Sequence, residues 1–160
     1  MASTTNPLGI SPGGSASSTF GDLYESNLGK IYDIDGNRWK IVKASGALTS
    51  MGRALVASAG SSGLPTNIVT TTTTAANPLA IGFCHSSQVD LADGDYFLVQ
   101  GSGYGEGISA AAIAAGAAVG ASTTAKKIDD ATMTAGGTVA VALESASAAD
   151  ENVAIRITIF

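Results

Sequence analysis

Histidine and cysteine each occur once, as the neighbours His85 and Cys84. A lone cysteine forms no intramolecular disulfide, so the chain carries no disulfide framework and no sign of an oxidising compartment. Neighbouring side chains on a strand point to opposite faces, so Cys84 and His85 do not form a thiolate–imidazole pair there. With one His and one Cys, no ordinary zinc ligand set can be assembled. Charge is also scarce. Only 13% of residues are charged, about half the usual share for soluble domains. Aromatics reach 6%, too few for a broad stacking platform. No apolar run approaches the roughly 18 residues of a membrane span. The N-terminus lacks a charged start followed by an apolar stretch, so no secretory signal is expected. There is no Asn-x-Ser/Thr sequence for glycosylation.

What fills the chain is Ala, Gly, Ser and Thr. Its 160 residues include 20 glycines and carry a net charge of −5. That length fits one domain with a self-sufficient core. Phosphate backbones are bound by clustered Lys and Arg, and eight scattered basic residues do not supply such a cluster. The densest stretch, Arg38–Lys43, is interleaved with Trp39, Ile41 and Val42, as in an amphipathic strand. Neither a nucleic-acid partner nor a membrane is expected.

Residues 1–22 read as an extended N-terminal arm. Ser, Thr, Gly and Pro dominate, with Leu8, Ile10 and Phe20 as spaced apolar points. Such a stretch builds no core of its own; it is either disordered or ordered against a partner, and the three apolar residues favour an arm. Residues 23–160 read as an all-β domain, a single β-sandwich or β-barrel with little helix. Asp35-Gly36 between two alternating runs is a strong hairpin signal, because both central positions of a type I′ turn need positive φ. It predicts strands near 30–34 and 38–43. The β-branched run Thr70–Thr74 resists helix. The segment 108–119 has the highest helix propensity in the chain, yet Gly116 and the missing cap limit it to a short turn.

Beyond the hairpin one pattern occurs twice, at about 47–100 and 108–160. Gly52, Leu55 and Ser58 match Gly116, Val119 and Ser122. Ile81-Gly82-Phe83 matches Val141-Ala142-Leu143, and Tyr96 and Leu98 match Val153 and Ile155. Either these are two pseudo-repeats or Ala/Gly-rich sequence matches by chance.

The constellations that could carry chemistry fail on spacing. Asp33–Asn37 opens like a calcium loop, but the sixth and twelfth positions are Arg38 and Ala44 instead of Gly and Glu. In Gly101–Gly107 a dinucleotide fingerprint would meet Glu106 or Ile108 at its last glycine, so the stretch reads as a glycine-rich loop at a subunit contact. Asp90, Asp93 and Asp95 surround Gly94, where Asp serves turn geometry. Asp129-Asp130 and Asp150-Glu151 read the same way. No catalytic residue, cofactor or metal site is expected, and the chain reads as a non-enzyme.

The arm, the hairpin and the repeated Gly-led strand followed by Ile81-Gly82-Phe83 or Val141-Ala142-Leu143 resemble the capsid cement, or decoration, proteins of tailed bacteriophages. The likeness covers about residues 29–160 and is a pattern, not a signature motif. It implies a structural virion protein on the capsid surface, assembled in the bacterial host cytoplasm. It further implies a homotrimer that binds the major capsid protein and bridges capsomers. Leu8, Ile10 and Phe20 would then be the capsid-contact residues of the arm. The alternative is a carbohydrate- or receptor-binding module of a phage fibre or bacterial surface, using Trp39, Tyr32, Tyr96 and Tyr104. A tail-tube or neck component would form hexameric rings.

Overall fold

A computed structural model describes residues 9–60, 66–131 and 137–160. Its strands are β1 (Ser15–Ala16), β2 (Ile31–Ile34), β3 (Asn37–Ala44), β4 (Leu55–Ser58), β5 (Ile68–Thr70), β6 (Ala80–Phe83), β7 (Tyr96–Ile108), β8 (Ala118–Ala121), β9 (Ile128–Asp130), β10 (Thr138–Ala142) and β11 (Asn152–Thr158). Helix among the described residues is limited to α1 (Gly21–Glu25) and a preceding 3₁₀ turn, Ser18–Phe20. The all-β expectation holds, and the closed solution is a barrel.

The hairpin forms where it is predicted. Asp35 and Gly36 carry φ of 51° and 79°, and β2 and β3 pair with Tyr32 opposite Trp39. From β3 a five-stranded ring runs β3-β5-β4-β6-β7 and closes where β7 returns to β3. Val42, Val56, Val69, Phe97 and Val99 fill it.

The thirteen-residue β7 then leaves the first ring and starts another. Its second half pairs with β11, β11 with β10, β10 with β8 and β8 with β9. β9 returns to the end of β7 through the parallel bridge Ser109↔Ile128 and the Ala110 N–H on the Ile128 carbonyl at 2.8 Å. Val119, Ile128, Val153, Ile155 and Ile157 form its interior.

Several backbone hydrogen bonds of the first ring recur in the second. The Ala44 N–H donates to the Asp95 carbonyl, and Ser109 to that of Glu151. Gly94 donates to Ala44, and Asp150 to Ser109. The bridge Leu48↔Leu91 has its counterpart in Ile113↔Ala146. These pairings shift the first and third matches expected from sequence by one residue and the middle one by two, Gly82 standing where Ala140 stands. Arg53 (φ 63°), not Gly52, stands where Gly116 (φ 82°) stands. Phe97 and Val99, not Tyr96 and Leu98, stand where Val153 and Ile155 stand. A one-residue slip turns a strand's faces inside out, which is why Phe97 and Val99 point into the first barrel while Tyr96 and Leu98 belong to a separate cluster outside it.

One local expectation is corrected, and two hold with more detail. Gly101–Gly107 is strand, not loop. Its glycines reflect close packing: a Cβ on Gly105 would meet Gln100 Oε1 at 2.8 Å, and one on Gly107 would meet Ile128 Cδ1 at 2.8 Å. Only Thr70 of the Thr70–Thr74 run is strand. The Thr72 hydroxyl accepts from the Thr74 N–H and from Asn77 Nδ2, a local turn that competes with the ladder. Residues 109–117 contain no helix, because Ile113 exchanges backbone hydrogen bonds with Ala146 in both directions.

Candidate functional site

The expected capsid-contact arm divides. Leu8 lies outside the described residues. Phe20 sits in the 3₁₀ turn. Ile10 is a correction: it is 3% exposed and packs with Tyr24, Ile34, Trp39, Ile41, Tyr96 and Leu98. A side chain so buried is not available to a capsid.

The physical reason lies in β3 and β7. In the first ring, Trp39, Ile41, Tyr96 and Leu98 make an apolar outer face. The equivalent positions in the second ring, from the shared hydrogen bonds, are Tyr104, Glu106, Asn152 and Ala154, which water tolerates. The first face therefore needs a cover. Residues 10–28 supply it, with β1 pairing to the edge of β7 (Ser15↔Phe97, Ala16↔Tyr96). Polar contacts fasten α1: Tyr96 Oη donates to Glu25 Oε2 at 2.6 Å, and Lys43 Nζ lies 3.2 Å from the same oxygen. The Tyr96 hydroxyl, and then Lys43, hold the Glu25 carboxyl below its usual range.

The acidic groups examined for chemistry serve turns. Asp90 Oδ1 accepts from the Ser50 N–H and Asp93 Oδ1 from the Gly46 N–H, each at 2.7 Å. Asp95 Oδ2 accepts from the Ala92 N–H at 2.9 Å. At the equivalent place in the second ring, Glu151 accepts from the Ser147 N–H and hydroxyl, which lowers its pKa. Among the described residues no group of three His, Cys, Asp or Glu side chains could hold a metal ion. Cys84 is 3% exposed, and burial pushes its thiol up to about 12. It is a packing residue of the first barrel, without the thiolate that nucleophilic chemistry needs.

One cavity, of about 300 Å³, opens beside the hairpin. Pro12 of the covering segment, Asp35 and Asn37 of the hairpin, Trp39, His85 and the start of the glycine-rich strand line it. His85 Nδ1 lies 2.7 Å from Ser87 Oγ, and its ring is 6.0 Å from that of Trp39. Asn37 Oδ1 accepts from the Tyr104 N–H at 3.1 Å. Gln100, 5% exposed, uses Nε2 to hold the Ser102 and Tyr104 carbonyls. Glu106 pairs with Arg53. Of the four aromatic residues weighed for a binding platform, Trp39 and Tyr104 meet here. Tyr96 is fully buried, and Tyr32 packs against the outer cluster. Sequence reasoning missed His85 and Gln100 as partners of Trp39, because nothing in their spacing places a post-β6 turn against β3.

No protein-family model matches the chain, and no curated protein does either. Among solved structures it is similar to the N base of the head fiber gp8.5 of bacteriophage phi29, at 14% sequence identity and a TM-score of 0.49, over 75% of this chain and 92% of that one. At this score the likeness carries no argument about function.

Proposed function

We propose that this chain is a non-enzymatic structural protein of a phage virion. In this reading it sits on the outside of the head and bridges capsomers. The observation that carries the reading is what the surface leaves open. Leu23, Ile31, Ile68, Val89, Tyr104 and Leu143 are between 40% and 69% exposed, on a chain with only 13% charged residues. Scattered exposed apolar side chains are ordinary, but a surface this poor in charge suits a protein packed against neighbours. The carboxylate clusters hold turns and the one thiol is sealed, so these groups support shape more than chemistry. The repeated strand pattern and its resemblance to cement proteins supply the phage context.

The reading expects a homo-oligomer. Three chains of 15.8 kDa should scatter light as one particle of about 47 kDa. A particle that stays at the mass of one chain at high concentration contradicts the trimer. A hexameric ring favours a tail-tube or neck component instead.

A further inference from the structure

The outer face of the first ring lies under residues 10–28. Among the described residues nothing covers the same face of the second ring. There Arg156 of β11 stands opposite Tyr104 of β7 on one side and Val141 of β10 on the other. Cross-strand partners share a face, and the alternate residues Val153, Ile155 and Ile157 fill the ring. Tyr104, Arg156 and Val141 therefore point outward. Leu143 extends the row beside Ala154, whose carbonyl accepts its N–H at 2.8 Å. Tyr104 is 69% exposed and Leu143 47%.

Charge decides what fits this face. Of the eight Lys and Arg side chains, seven are engaged within the chain. Arg38, Lys43, Arg53 and Lys127 form ion pairs. Lys30 donates to Asn27 and Lys126 to the Thr49 carbonyl, and Lys40 lies over the Phe160 ring. Arg156 is exposed in the middle of the face and has no side-chain partner among the described residues. Glu144, next to Leu143, is also exposed. It accepts from the Ala154 N–H at 2.8 Å and has no cation beside it among the described residues. Glu106, the other acid here, is closed off by Arg53. The face thus carries an apolar strip with one free cation and one free carboxylate. A partner of a single sign would set one of these charges against its like. A copy of the same face satisfies both, because each cation can meet the carboxylate of its neighbour.

We infer that this face is the contact between copies of this chain. Tyr104, Val141 and Leu143 pack against the neighbouring copy, and Arg156 of each copy pairs with Glu144 of the next. The inference rests on the homo-oligomer reading above and names the surface through which the oligomer forms. Burial of the apolar strip drives association, and the ion pair fixes orientation more than it adds affinity.

Light scattering of the full chain over a concentration series tests this. The wild type should sit at about 47 kDa, three chains of 15.8 kDa. Arg156→Glu sets carboxylate against carboxylate and should raise the concentration at which the particle dissociates by at least about tenfold. Leu143→Ser removes apolar contact without changing charge and should raise it by about tenfold. The double variant Arg156→Glu/Glu144→Arg restores the pair with its signs exchanged and should recover most of the loss. These side chains are exposed in the single chain, so each variant should keep the wild-type circular dichroism spectrum. If Arg156→Glu fails to fold, Leu143→Ser carries the test. A wild-type chain that stays at 15.8 kDa overturns this inference together with the oligomer it rests on. If that monomer loses its attachment to the particle in the same variants, the face belongs to the capsid instead. A wild-type oligomer that neither folded variant weakens overturns the inference alone and leaves the oligomer to another face. A double variant as weak as Arg156→Glu overturns the pairing of Arg156 with Glu144.

Discussion

Deleting residues 1–20 should lower the melting temperature by roughly 6–12 °C, rather than leave a stable core without an arm. Ile10 is buried against Trp39, Ile41, Tyr96 and Leu98, and β1 supplies a strand to the edge of β7. Removing a buried Ile side chain alone costs about 2–5 kcal/mol. Deletion also returns part of the face under it to water, at about 25 cal/mol per Å² of apolar surface. A total of at least about 3 kcal/mol, at 2–4 °C per kcal/mol for a chain of this size, gives the expected shift. Ile10→Ala should reproduce much of it. Differential scanning calorimetry of both variants decides. A melting temperature within about 1 °C of the full chain, a small fraction of the shift expected for lost core packing, would mean that the segment is a detachable arm after all.

Gly103→Val should destabilise the protein by about 2–4 kcal/mol, read from urea unfolding. Two costs add. Gly103 has φ of +100°, a region a β-branched residue enters only with about 1–3 kcal/mol of strain. Its Cβ would also overlap the Asn37 carboxamide oxygen. Turning that oxygen away removes the acceptor of the exposed Tyr104 N–H, about another 0.5–1.5 kcal/mol. Gly46→Ala is the control. Gly46 also has positive φ, at 78°, but open space where a Cβ would go, so only backbone strain of about 1 kcal/mol is expected there. Equal small losses at both positions would show that the 101–107 stretch is the permissive loop its composition suggests.

The hairpin was legible because Asp35-Gly36 states its backbone conformation directly. The strand content was legible because Val, Ile, Tyr and Phe cluster in short bounded runs. The cover was not legible. Nothing local to Ile10 tells a buried contact from one awaiting a partner, since the difference lies in the apolar outer face that Trp39 and Leu98 create across the chain. The start of the second ring was hidden for a related reason. Its first strand, Gly103–Ser109, occupies the place of Arg38–Ala44, yet shares no residue type with it at any aligned position. Close packing against Gln100, Ile157 and Ile128 selects glycine where the first ring carries Trp and Ile. Composition therefore read as loop what tertiary packing makes strand. The one-residue shift in the internal matches came from anchoring on Gly52, when the positive-φ position of the first ring is held by Arg53.

The cavity was half legible. Trp39 and Tyr104 were identifiable as aromatic candidates, but two of four such residues turn out to serve packing. Gln100 and His85 became partners of Trp39 only through the crossing of β3 with β7 and the turn after β6.

The central claim is a place on the outside of a phage head. Electron microscopy of the particle that carries this protein tests it most directly. The account predicts extra density on the outer capsid surface, at three-fold or quasi-three-fold positions between capsomers, of a size that fits three chains of 15.8 kDa. Density of this protein in the tail or neck, or its absence from the particle, would contradict it.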